Sequence, residues 1–161
     1  MPLILIGLSS CQEANISAPV VRALQAAGHE VRIAWFGSTY EFEQATALGL
    51  PDTDAIIAGD FDDDSLLLQA CEFLADDWLQ CPIVISVGNN AFARTLAEVA
   101  HERSAQVIRI QAGVRVDDHR DRSRRLTDHA ADAWCVANEI QRQQLLQEGL
   151  DEANISVVGS L

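Results

Sequence analysis

The residues with the most chemical potential lie between Gln111 and His129, which read QAGVRVDDHRDRSRRLTDH. Five of the eleven arginines, Arg115, Arg120, Arg122, Arg124 and Arg125, fall in this stretch, and His119 and His129 accompany them. Arginine presents a planar fork of donors that matches phosphate and carboxylate oxygens, so one reading is an anion site. The other is an exposed, salt-bridged helix. Asp121 and Arg125 are four apart, as are Arg124 and Asp128, and each such pair contributes only about 0.2–0.5 kcal/mol. Leu126 and Ala130 alone give this helix an apolar stripe, which predicts that it is solvated or faces a cleft.

Three other segments carry polar groups at strategic spacings. Gly7-Leu8-Ser9-Ser10-Cys11-Gln12-Glu13 follows an apolar run, and Ser9 and Ser10 can offer hydroxyls and backbone N–H groups to an anion at a helix N-terminus. Its alternative is a plain solvated turn. Gly88-Asn89-Asn90 also follows an apolar run and opens a helical one. An asparagine there can cap the helix or bond a ligand hydroxyl, but an amide cannot shuttle a proton. Asp60-Phe61-Asp62-Asp63-Asp64-Ser65 has metal-like spacing. Acids at a helix start are better explained by the macrodipole and by capping, so no metal is expected.

Several chemistries are disfavoured or excluded. The sequence contains no lysine, which removes a lysine Schiff base and a P-loop lysine. The first loop has a single glycine, so the dinucleotide fingerprint G-x-G-x-x-G is absent and no cofactor is implied. No G-x-S-x-G elbow supports a serine hydrolase. The net charge of -13 disfavours nucleic acid as a partner. The cysteines at 11, 71, 81 and 135 match no zinc spacing and read as reduced, mostly buried thiols, which points to the cytoplasm. The sequons at Asn15 and Asn154 are then chance matches. No apolar run approaches the roughly 18 residues of a membrane span, and Leu3-Ile4-Leu5-Ile6 is too short for a signal peptide.

These segments need elements to position them. Short apolar runs at 3–8, 31–35, 55–58, 83–87, 107–110, 133–136 and 155–158 have the length and β-branched content of buried parallel strands. Helical patterns at 17–27, 41–48, 63–79, 91–103, 119–131 and 139–147 separate them. Gly28 marks one helix stop, and Asp52, Asp60 and Asn138 suit turns or caps. The alternation predicts one domain over residues 1–161: an α/β, doubly wound, Rossmann-like parallel sheet of six or seven strands with right-handed crossovers. Ligands in such sheets bind beyond the carboxyl ends of the strands. The informative loops are therefore 7–15, 36–40, 59–62, 88–90, 111–118 and 137–138.

Several of these residues together resemble a family. Gln111-Ala112-Gly113-Val114-Arg115, Arg124-Arg125-Leu126-Thr127-Asp128-His129, Gln144-Leu145-Leu146-Gln147-Glu148-Gly149 and Ile155-Ser156-Val157-Val158-Gly159 are similar to the bacterial UDP-N-acetylglucosamine 2-epimerases. That family shows E-A-G-L-R, P-E-E-x-N-R-x-L-T-D-H, L-L-x-E-G and I-x-V-x-G-N in this order. Upstream, Glu13-Ala14 and Ala18-Pro19 fit its G-T-R-P-E-A-x-x-x-A-P helix start. The run 19–31 also resembles the first helix of GT-B type glycosyltransferases.

The resemblance implies a single half of a GT-B type, two-domain architecture, with the UDP site mostly in the other half. It also implies departures. The family's acid in G-D-T aligns with Asn89, and its acid in E-A-G aligns with Gln111. The P-E-E pair falls near Arg120 and Asp121, and the arginine of G-T-R-P-E falls near Cys11. Family epimerases use acids to remove and return the C2 proton and to assist loss of UDP. Asp121 is then the one carboxylate left to act in catalysis, and only beside a partner half. Ser9, Ser10, Glu13, Asn89, Gln111, Arg115, Arg124 and His129 are the candidate substrate-binding residues.

Two functions follow as expectations. One is an epimerase-like half, inactive alone, that needs a separate C-terminal GT-B half to hold the nucleotide. The other is a non-catalytic descendant, a pseudoenzyme, that binds a sugar nucleotide, a phosphate or a protein. The resemblance also makes a homodimer an expected partner.

Overall fold

The structure is a computed structural model that describes residues 2–51, 54–57, 69, 72, 81–88, 90–111 and 131–159. Seven strands form one sheet: β1 (Leu3–Leu8), β2 (Glu30–Trp35), β3 (Asp54–Ile57), β4 (Ile83–Val87), β5 (Gln106–Ile110), β6 (Ala133–Val136) and β7 (Ile155–Val157). Their order is β3-β2-β1-β4-β5-β6-β7, and each neighbouring pair is parallel. The described helices are α1 (Cys11–Ala26), α2 (Thr39–Ala47), α3 (Ala91–Glu102) and α4 (Glu139–Gln147). A short 3-10 turn at Glu152–Asn154 leads into β7.

Alternation along the strands divides the core. Ile4, Ile6 and Leu8 of β1 pack with Val31, Ile33 and Trp35 of β2, and with Ala14 and Val21 of α1 and Ala45 of α2. Leu5, Ala34, Val84 and Val107 point the other way, onto Phe92, Leu96 and Ala100 of α3. A buried parallel strand must be apolar on both sides, which is why these segments read as continuous apolar runs. Fully burying each such aliphatic side chain contributes about 1.5–3 kcal/mol. Trp134 and Val136 pack with Leu145 and Ile155 to extend the core under α4.

One close approach is set by a missing side chain. A Cβ on Gly7, near the carboxyl end of β1, would run into the Leu96 side chain of α3. Glycine at this position lets α3 lie directly on the sheet.

The sheet agrees with the seven expected strands to within one residue at each end. The first helix differs. It starts at Cys11, six residues before the expected Ser17, and Pro19 lies inside it. Ser10 is the N-cap, and its Oγ accepts from the Glu13 backbone N–H at 3.2 Å. This local cap overrides the preference of proline for a first turn. The expected helices at 63–79 and 119–131 lie outside the described residues, apart from Gln69 and Glu72, which are both helical.

Candidate functional site at the carboxyl edge

Beyond the ends of parallel strands, backbone N–H groups and helix N-termini converge. Between β1 and β4 the chain order reverses, because β1 leads outward to β2 on one side and meets β4 on the other. Such a switch point opens a crevice at the carboxyl ends of the strands. Here the crevice is bounded by the β1–α1 turn (Ser9, Ser10), the β4–α3 turn (Gly88, Asn90) and the end of β5 (Gln111).

Glu13 is the pivot of the first two turns. It lies in the first turn of α1, and its side chain is turned inward and buried. Its Oε2 accepts the Ser9 N–H at 2.6 Å and the Ser9 hydroxyl at 2.9 Å. Its Oε1 accepts the Asn90 amide at 2.8 Å. That amide also donates to Ser9 Oγ at 2.6 Å, and Asn90 Oδ1 accepts the Ala93 N–H at 2.8 Å as the N-cap of α3. Burial pushes the Glu13 carboxyl above the usual carboxylate range, and the bonds from Ser9 and Asn90 hold it back.

Below the β4–α3 turn lies a buried cation. Arg109 of β5 is fully buried, donating to Gly88 O at 2.7 Å and to Ala93 O at 3.3 Å. Its guanidinium stands over the Trp134 ring at 5.3 Å. Burial, with the nearby Arg94 charge, lowers its pKa to about 10, so it remains protonated at neutral pH. Ser86 Oγ also donates to Ala93 O, at 2.6 Å. Gly88 has φ 83°, and a Cβ there would sit 2.5 Å from Glu13 Oε1.

Gln111 follows β5, its backbone N–H donating to Cys135 O at 3.0 Å. The side chain is 3% exposed, yet its Oε1 and Nε2 both lack a hydrogen-bond partner among the described residues. A buried amide left unpaired costs about 1–3 kcal/mol, so its presence needs an explanation.

The structure thus brings Ser9, Ser10, Glu13 and Gln111 of the expected site residues to one edge of the sheet. It gives Ser9, Ser10 and Glu13 intramolecular partners and leaves the Gln111 amide without one. Asn89, Arg115, Asp121, Arg124 and His129 lie outside the described residues, and so does the anion-site reading of the arginine segment. Arg109 and Ser86 are not singled out by the sequence, whereas Asn90, in the Gly88-Asn89-Asn90 loop, takes the helix-capping role expected there. An arginine inside the apolar strand QVIRI is a signal that could have exposed the first. No group of three metal-ligating side chains occurs among the described residues. Cys11, Cys81 and Cys135 are free thiols, Cys81 buried and the other two half-buried. No helix among the described residues is long and apolar enough to cross a membrane.

Known proteins share this arrangement of elements. UDP-GlcNAc 2-epimerase from Methanocaldococcus jannaschii superposes with a TM-score of 0.81 at 24% identity, over 99% of this chain and 46% of its own. The Neisseria meningitidis UDP-GlcNAc 2-epimerase, solved bound to UDP-GlcNAc, gives 0.78 at 15% identity, over 99% and 47%. A glycosyltransferase from Rickettsia africae gives 0.69 at 16%, over 98% and 42%. The chain therefore spans about half the length of these proteins and has the fold of one half of a GT-B architecture. No curated protein matches the sequence. The family model for UDP-N-acetylglucosamine 2-epimerase matches residues 65–161, more than half of the chain. On that match, over a carboxyl edge built as described, the chain belongs to the UDP-N-acetylglucosamine 2-epimerase family.

Proposed function

We propose that this chain is the sugar-facing half of a sugar-nucleotide site, one that holds its ligand at the carboxyl edge of the sheet and does not epimerise it unaided. The observation that carries the reading is the buried carboxamide of Gln111, which has no hydrogen-bond partner among the described residues. An amide with a free donor and a free acceptor complements a hydroxyl or acetamido group, which also carries both. Two relatives of the same fold were solved with UDP-GlcNAc, which supports that class of ligand. Removal of a C2 proton needs a group that titrates, and Asn89 and Gln111 stand where the family resemblance places acids. Losing one general acid or base typically costs about 10²–10⁴-fold. Asp121 is the carboxylate left to act if a separate nucleotide-binding half joins the site. Arg115, Arg124 and His129 are the remaining candidate ligand contacts, and the cytoplasm is the proposed compartment.

Calorimetric titration with UDP-GlcNAc tests this. The chain is expected to bind, and Gln111→Ala to weaken binding about tenfold, the equivalent of one good hydrogen bond. Equal affinity in the two proteins, or no binding at millimolar ligand, would remove Gln111 from the site.

A further inference from the structure

We infer that Glu13 and Arg109 are positioning residues that clamp the β4–α3 turn from opposite faces of the sheet and so set the geometry of the sugar-nucleotide edge. Glu13 reaches the turn from α1, on the face that carries α1 and α2. Its carboxylate ties Asn90 to Ser9 and lies against the α-carbon of Gly88. Arg109 reaches the same turn from the face that carries α3, through Gly88 O and Ala93 O. Gly88 is therefore held on its carbonyl by a guanidinium, and its α-carbon faces the Glu13 carboxylate. Asn90 is fixed at both ends, its nitrogen by Glu13 and Ser9 and its oxygen by Ala93.

Two buried charged side chains are a costly way to hold a turn that an ordinary cap could end. What they add is direction. A carboxylate can accept several N–H and O–H bonds at once, and a guanidinium can donate to two carbonyls in one plane. The same clamp ties the β1–α1 turn to the β4–α3 turn, the two sides of the crevice at the switch point. Opening it would let these sides move independently while the apolar layers beneath stay packed. The clamp rests on geometry alone; its effect on affinity rests on the function proposed above.

Amide hydrogen exchange and UDP-GlcNAc titration of Glu13→Ala, Glu13→Gln, Arg109→Met and Arg109→Lys test the proposal. Leu50→Ala, in the core just after α2, is the control for loss of stability without loss of the clamp. Glu13→Ala and Arg109→Met are expected to exchange about tenfold faster at the amides of residues 88–94, with β1 and β2 unchanged. Glu13→Gln and Arg109→Lys, which keep part of the bonding, fall between these and the parent. Affinity for UDP-GlcNAc drops in the same order and is unaffected by Leu50→Ala. Uniform acceleration along the chain, or no change at 88–94 in the folded Glu13→Gln and Arg109→Lys proteins, would overturn the clamp. Local acceleration in a chain that never binds UDP-GlcNAc would uphold the clamp and overturn the proposed function instead.

Discussion

Gln111 and Glu13 are both buried and polar, yet they spend that burial differently. Glu13 has three donors around its carboxylate, whereas the Gln111 amide has none among the described residues. Replacing Gln111 by Leu removes an unpaired polar group, so the free chain is expected to gain about 1 kcal/mol in urea unfolding while losing affinity for UDP-GlcNAc. A loss of stability would mean that the amide is satisfied in the free protein. For Glu13 the sign of the pH dependence follows from burial. Its folded-state pKa is raised, so the folded state holds the proton more tightly than the unfolded state. Its contribution is fully present below its unfolded value and is lost as pH rises through the raised folded value. In Glu13→Gln the decline in stability above about pH 4.5 is expected to flatten, as read from unfolding midpoints across pH. A steeper decline would contradict the burial argument. Gly88→Ala meets both a positive φ and the Glu13 carboxylate, and is expected to cost about 1–3 kcal/mol by the same assay.

The helices of this edge all begin on side-chain caps: Ser10 for α1, Ser38 for α2, Asn90 for α3 and Asn138 for α4. Asn138→Ala removes a cap alone and is expected to cost about 1 kcal/mol. Asn90→Ala removes a cap and a Glu13 partner, so it should cost more, and a double-mutant cycle with Glu13→Ala should show coupling. Additivity in that cycle would separate the cap from the clamp. The caps also show where the sequence was legible. Apolar runs of four to six residues have one solution in a parallel sheet, so the strands could be read nearly to the residue. The start of α1 was legible too, in the S-x-x-E spacing of Ser10 and Glu13, but Pro19 looks like a first-turn residue and competes with that signal. The site was legible in part. Position along the chain identified Ser9, Glu13 and Gln111 as lying at strand ends, but not that Glu13 turns inward to bridge two turns. Arg109 lies outside the loops entirely, and its role arises because β5 neighbours β4, a pairing that no local pattern encodes.

At the scale of the molecule, one crevice at the β1–β4 switch point collects the two turns, the clamp and the unpaired amide. The sequence carries a net charge of -13, so an anionic nucleotide must approach against that overall field. With Arg115 and Arg124 among the proposed ligand contacts, binding of UDP-GlcNAc is expected to weaken as salt rises from about 0.01 to 0.15 M, where the Debye length falls from about 30 to 8 Å. Strengthening over that range would indicate that the overall negative field governs approach and that the arginine segment takes no part. The central claim is that the carboxyl edge of the sheet holds a sugar nucleotide. Its most direct test is a titration of the chain with UDP-GlcNAc followed by backbone amide shifts. Saturable shifts concentrated at residues 7–13, 88–91 and 109–129, with the C2 configuration of the sugar unchanged, are the predicted result. Shifts centred elsewhere in the fold, or inversion at C2 by the chain alone, would contradict it.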